Sequence, residues 1–466
     1  MVKAWLATVG AALVLLVGDA TGSALAKQDL VIRMDDDVSI AATLYTPDGA
    51  PPAGGWPAIV FMHGLAGNRL SMNALAEGYG FAGGSYAILT FDARGHGESG
   101  GLIGIDGPRE IADVKAVFAW LAARPDVADA RIGAWGISYG GGAVLNSLVA
   151  GVPWAAVEVA QTWTDLYTAL VPNGLPKSGV VGGFFASLPP AKLDPSVFAV
   201  RDAAFSGANP GLLRSWAAAR SSLPRLRGVR TPIFFMQGRR DFAFALDQAT
   251  RAYARLAGPK RLWIGNHGHP PSTFPTVDTQ KMLAEGKLWF DRFLRGIRNG
   301  IDDKPPVVIA TEGKATTRTF AQLPQARHAE PTIVTRRVKF APGGKWVTTI
   351  RGAGGEIFGA PSVGVTATAT GGWSRLVAVL SARTPDGREI IVSAGGVPTR
   401  GGKRTYTIGM HNQATVVPRG SRLVLTLADS SLAQNPANLV YLKLPTPAGA
   451  RLTVNRVALT YGYLGQ

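Results

Sequence analysis

Apolar and polar positions follow two different rhythms along this chain. Up to about residue 294, short apolar runs alternate with stretches whose apolar positions recur every three or four residues. Residues 29–34 and 38–45 read as a β-hairpin joined by Asp35-Asp36-Asp37, a solvated acidic turn rather than a calcium loop. Strands are expected at 57–62, 86–91, 130–135, 155–159, 231–237 and 260–264. Helices are expected near 70–82, over 108–124, after residue 142, over 245–256 and over 278–294. The second of these has Pro108 in its first turn, Ile111, Val114, Phe118 and Leu121 on one face, and Pro125 as its stop. Strands alternating with helices predict a parallel sheet covered on both faces.

The alternation lapses between residues 161 and 228. That stretch mixes Trp163, Tyr167, Phe184, Phe185 and Trp216 with glycines and prolines, and reads as a short helical lid over the sheet's carboxyl edge. Beyond a polar linker at 296–306 the rhythm changes to short strands separated by turns, at 307–310, 332–340, 363–369, 374–382, 389–394, 404–409, 422–428 and 452–459. This spacing predicts an all-β sandwich of jelly-roll type. The expected organisation is therefore a leader over 1–26, an α/β domain over 27–300 and a β domain over 305–466.

The leader is read from Lys3, the apolar run 4–17 and the small-residue site Ala24-Leu25-Ala26, the pattern of a secretory signal peptide. Export to the cell exterior or envelope follows as an expectation. The chain has 466 residues and no cysteine, which excludes disulfides, thiolate metal sites and a cysteine nucleophile. The formal net charge of +17 predicts weak adhesion to anionic envelope material. No nucleic-acid motif accompanies the charge.

Candidate chemistry centres on Gly136-Ile137-Ser138-Tyr139-Gly140, a Gly-x-Ser-x-Gly between an expected strand and an expected helix. Such a nucleophile elbow holds a serine hydroxyl on a tight turn. Serine needs a base, and the base needs an orienting acid. Of the six histidines, His267 and His269 alone follow the last expected parallel strand and precede the last helix. Asp241, in the loop after strand 231–237, is preferred as the acid over Asp247, which lies in helical pattern. The backbone amides of Tyr139 and Leu65 are the candidate oxyanion donors. Trp163, Phe184 and Phe185 are the candidate substrate-pocket residues. The rival use of His267-Gly268-His269 is a zinc site completed by His63 or His96, but no further ligand spacing supports it. His328 and His411 are expected to pack in the β core. Asp92 and Arg94 are expected to pair and fix the loop that carries His96.

Taken together, Asp92-x-Arg94-Gly95-x-Gly97-x-Ser99, Trp135-Gly136-Ile137-Ser138-Tyr139-Gly140-Gly141, Gly265-Asn266-His267-Gly268-His269 and Pro418-Arg419-Gly420-Ser421-Arg422-Leu423 resemble the α/β-hydrolases of the X-Pro dipeptidyl-peptidase and cocaine-esterase type. The resemblance implies an α/β-hydrolase sheet with a lid and a β-sandwich. It makes His269 rather than His267 the base, and Asp241 the acid. It implies a serine hydrolase that cleaves a small ester or a peptide and needs no cofactor and no metal. Members of that family commonly supply one oxyanion donor from a tyrosine hydroxyl; here the loop reads His63-Gly64-Leu65-Ala66-Gly67, as in general esterases. The substrate is thus an X-Pro peptide or, alternatively, an ester with no peptidase activity. A catalytically silent envelope-binding protein is the reading from another class.

Overall fold

A computed structural model describes residues 25–76, 86–207, 209–270, 272–351 and 354–464. The expected leader lies outside them except for Leu25 and Ala26, which begin the first strand, and so does the second half of the helix expected near 70–82.

The first region is a ten-stranded sheet in the order β1-β2-β4-β3-β5-β6-β7-β8-β9-β10. Its strands are β1 (Leu25–Arg33), β2 (Ser39–Pro47), β3 (Trp56–Met62), β4 (Ala87–Phe91), β5 (Val127–Ile137), β6 (Val157–Ala160), β7 (Ile233–Gly238), β8 (Lys260–Gly265), β9 (Val307–Ala310) and β10 (Thr317–Phe320). The hairpin β1–β2 adds antiparallel to β4, and β4, β3, β5, β6, β7, β8 and β9 are mutually parallel. Parallel strands are covered on both sides, which is why β3 reads as an unbroken apolar run. Neighbouring residues of β5 show the two faces. Ala134 packs with Val114, Val117 and Leu121 of α1 (Pro108–Ala122) and with Val144, Leu145 and Leu148 of α2 (Tyr139–Val149). Trp135 packs on the other side, with Met282, Trp289 and Phe290 of the last helix before the linker, Thr279–Leu294.

One boundary differs from expectation. The strand at 307–310 does not open the β domain. It pairs in parallel with β8, with Trp263 opposite Val308, and β10 then folds back on it. A four-residue apolar run carries no mark of which sheet it joins, and the short linker leaves β9 beside the open edge of β8. The α/β region therefore extends through residue 320.

The lid contains α3 (Leu166–Leu170), α4 (Ser178–Ala186), α5 (Pro195–Ser206) and α6 (Pro210–Ala218). Beyond it come α7 (Asp247–Arg255) and α8, the Thr279–Leu294 helix.

The remaining chain is all antiparallel. It comprises β11 (Arg327–Ala329), β12 (Val338–Phe340), β13 (Lys345–Arg351), β14 (Gly355–Gly359), β15 (Ser362–Thr370), β16 (Arg375–Arg383), β17 (Glu389–Pro398), β18 (Gly402–Gly409), β19 (Gln413–Val417), β20 (Arg422–Ala428) and β21 (Arg451–Leu464). One sheet runs β18-β15-β21-β14-β19, with β11 and β12 also on β21; the other runs β13-β20-β16-β17. Val363, Val365, Ala367 and Ala369 of β15 share one core with Leu376, Ala378, Leu380 and Ala382 of β16, so the two sheets face each other.

The opposite face of β16 is buried too. Val377 and Val379 pack with Phe242, the residue after Asp241. The β region therefore rests its outer sheet face on the α/β region beside the candidate acid. Full burial of a valine side chain is worth roughly 1.5–3 kcal/mol. His411 is buried against Phe242 and Tyr441, as expected. His328 is not in the core: it stands exposed on β11, whose three residues pair with β21. Among the described residues no helix is long and apolar enough to cross a membrane.

Candidate active site

Ser138 sits at the junction of β5 and α2 with φ 55° and ψ −114°, a left-handed conformation that non-glycine residues seldom adopt. Close packing holds it there. A Cβ on Gly136 would overlap the backbone of Gly140, and one on Gly140 would overlap the carbonyl of Met62 at the end of β3. The elbow therefore wedges directly against the loop that carries His63, Gly64 and Leu65. Gly64 faces Ser138: a Cβ added to this glycine would lie 3.8 Å from the serine Cβ. Among the described residues the amides of Leu65 and Tyr139 donate no hydrogen bond, and the Tyr139 amide opens α2.

The loop after β8 brings His269 to the serine. Ser138 Oγ lies 2.9 Å from His269 Nε2. His269 Nδ1 lies 2.7 Å from Asp241 Oδ2, on the loop after β7. Asp241 is fully buried, which by itself raises a carboxyl pKa. The His269 charge, its ring bond, and amide bonds from Phe244 and His269 outweigh that, and the pKa lies below the usual carboxylate value. Ala243 and Phe244 donate to Asp241 Oδ1 at 2.9 Å each. Two aromatic rings adjoin His269: Phe244 meets it edge-on at 5.1 Å and Phe184 at 6.2 Å.

The other candidates go elsewhere. Asp247 pairs with Arg251 at 3.6 Å on α7. His267 is buried against Phe274, and burial lowers its pKa. His63 and His96 meet edge-on with ring centroids 5.0 Å apart, beside Tyr139. Burial takes His63 down to about 4; burial and then His63 take His96 down to about 3. Asp92 and Arg94 do not pair with each other. Asp92 binds Arg69 at 2.6 Å, whereas Arg94 spans Asp113 and Asp36. Each finds its partner on a neighbouring element, which the spacing within the loop could not reveal.

Phe184 and Phe185 line an apolar cavity of about 90 Å³ under the lid, together with Leu65, Ile105, Leu166 and Trp216. Trp163 does not line it. Its indole donates to the Arg220 carbonyl at 2.8 Å, and its ring is wedged between Gly142 and Phe244. Among the described residues no carboxylate lines this cavity, and the one charged residue that does is Arg201.

Several supporting residues escape a reading of the sequence. Arg239, buried two residues before Asp241, bonds to Ala414 O at 2.9 Å and to Ala310 O, and pairs with Glu356. Gln413 of β19 donates to the Asp241 carbonyl at 2.9 Å. Lys177, the residue before α4, is fully buried and donates to the carbonyls of Phe242 and Ala243 at 2.9 and 2.6 Å. Burial lowers its pKa to about 8. The acid loop is thus held from the lid on one side and the β region on the other.

A serine on a strained strand-to-helix turn, over a parallel sheet and facing a histidine from the loop after a later strand, defines the α/β-hydrolase class. Within that class, residues 36–196 match the model of the X-Pro dipeptidyl-peptidase (S15) family, and the resemblance to the X-Pro dipeptidyl-peptidase and cocaine-esterase type holds. A "Putative Xaa-Pro dipeptidyl-peptidase" of Bacillus anthracis is 26% identical over 259 residues, 49% of this chain and 42% of that protein. The "Quorum-quenching protein AidA" of Acinetobacter baumannii is 33% identical over 142 residues, 29% of this chain and 43% of that protein. The chain thus spans less than half the length of these curated relatives. A CocE/NonD family hydrolase from Staphylococcus aureus shares the fold across both regions. Its TM-score is 0.73 at 14% identity, over 94% of each chain.

Proposed function

We propose that this protein is a serine hydrolase that acts by acyl transfer on esters, or amides, with a compact apolar acyl group. The observation that carries the reading is the hydrogen-bonded series Ser138, His269, Asp241 beside an apolar cavity. Ser138 Oγ attacks the substrate carbonyl as His269 Nε2 takes its proton. The amides of Tyr139 and Leu65 hold the oxyanion, where one such donor is worth roughly 3–4 kcal/mol. His269 then gives the proton to the leaving alcohol or amine, and water releases the acyl group by the same steps. Asp241 fixes the imidazole tautomer throughout.

The cavity holds about six to nine water-sized spheres at 10–15 Å³ each. That suits a short acyl chain or one apolar side chain. The family match favours X-Pro peptides as a second reading, but a free amino terminus needs an anionic partner and among the described residues no carboxylate lines the cavity. The ester reading therefore stands first. The leader motif supports export. Assay of p-nitrophenyl esters of increasing chain length beside Xaa-Pro anilides tests the choice. Highest kcat/KM on short esters, falling beyond about six carbons, supports the ester reading; a preference for the anilides transfers it to the peptidase.

A further inference from the structure

A cleft of about 530 Å³ separates the lid from the β region, within the size range of ligand sites. Its walls include Tyr167, Leu175 and Arg214 from the lid, and Arg375, Arg400 and Tyr441 from the β region. Among the described residues no aspartate or glutamate lines it.

Arg375 is the unusual member. Only 6% of it is exposed. Its Nη2 donates to the Leu444 carbonyl at 2.7 Å and to Thr446 Oγ1 at 3.2 Å, while Nε is buried with no acceptor among the described residues. The nearby Asp429 takes an amide bond from Gly343 instead. A guanidinium removed from water without a carboxylate beside it is unfavourable unless a ligand completes it. Arg214 lies over the Tyr167 ring at 5.3 Å, and Arg400 is exposed. Both remain open to an incoming anion.

We propose that this cleft is a second binding site, for a soluble oligoanion carrying two or more carboxylate or phosphate groups. Three arginines line the cleft against one acid nearby, the buried Asp429, which does not line it, and this excess sets the sign of the ligand. The cleft is larger than one phosphate or carboxylate, which sets its oligomeric character. Arg375 is recessed, so a flat membrane surface does not reach it. The site is separate from Ser138, yet Tyr167 and Ala204 line both this cleft and the apolar cavity, so the ligand braces a wall of the substrate pocket. Guanidinium is suited to this task because it forks onto carboxylate and phosphate oxygens.

The test is calorimetric titration of the full protein at low salt with tripolyphosphate and with trigalacturonate, and a sedimentation assay with phosphatidylglycerol vesicles. The expected result is saturable one-to-one binding of at least one soluble oligoanion. Arg214→Gln, Arg400→Gln and Arg375→Lys each weaken it tenfold or more while hydrolysis of p-nitrophenyl butyrate stays within twofold. Arg327→Gln, outside the cleft on β11, leaves binding unchanged. The proposal is overturned by no saturable binding at millimolar ligand, by binding to vesicles alone, or by equal weakening with Arg327→Gln. Should Arg375→Lys fail to fold, the Arg214 and Arg400 variants decide.

Discussion

The two ends of the Ser138–His269–Asp241 series are held by opposite means. The serine end is self-contained. Gly136 and Gly140 let β5, α2 and the end of β3 close on one another, and each contact lies within the α/β region. The acid end is held from outside. Lys177 of the lid, Gln413 and Glu356 of the β region, and Phe242 under Val377 and Val379 all fix the loop of Asp241. Ser138, the proposed nucleophile, thus depends on local backbone geometry, and Asp241, the proposed acid, on the docking of three separate parts. This gives the β region a physical role in any chemistry at Ser138, although among the described residues none of its side chains hydrogen-bonds to Ser138 or His269.

Substitutions can break that contrast, beginning with the largest effect. Asp241→Asn keeps the shape but favours the wrong imidazole tautomer, and kcat should fall about 10⁴-fold. Asp247→Asn should change it less than threefold, because Asp247 serves Arg251 instead. Steady-state kinetics on a short ester compares the two. At the serine end, Gly140→Ala drives a methyl into the Met62 carbonyl, and the expected loss is about 4 kcal/mol in denaturant unfolding together with activity.

A pH titration of stability probes the packing behind the elbow. His63 has its pKa lowered to about 4 by burial, and an unfolded histidine titrates near 6.5. Between those values the unfolded chain binds the extra proton, so stability is complete above pH 6.5 and is lost as pH falls toward 4. The expected loss from this one group is about 3 kcal/mol. Thermal melts from pH 7 to 4 measure it, and His63→Gln should flatten the slope. A smaller loss than at Asp241 or Gly140 is expected where the acid loop meets the β region. Gln413→Ala removes one neutral hydrogen bond to the Asp241 carbonyl, and kcat should fall about tenfold with KM unchanged. A rise in KM without loss of kcat would show that Gln413 shapes the pocket rather than the acid loop.

The same contrast explains what can be read from the chain. The elbow is legible because its contacts are between near neighbours, so Gly136, Ser138 and Gly140 announce themselves in one line of sequence. Asp241 and His269 are legible from their order after successive strands. Their support is not, since Arg239, Lys177 and Gln413 look like ordinary surface residues until distant segments meet. One signal is present but easily passed over: Leu376-Val377-Ala378-Val379-Leu380 lacks the alternation of a sandwich strand, and that run reports burial on both faces. The strands β13, β14 and β19 escape the pattern because their short runs are broken by threonine, glycine and glutamate. Trp163 reads as a pocket residue from its aromatic character, which serves packing against Gly142 equally well.

Whether Ser138 is the nucleophile is decided by fluorophosphonate labelling of the folded protein, with the adduct located by peptide mass spectrometry. One adduct is expected, on Ser138, abolished by Ser138→Ala and slowed by His269→Gln. An adduct on any other residue, or no adduct on protein that still hydrolyses a short ester, would contradict the assignment.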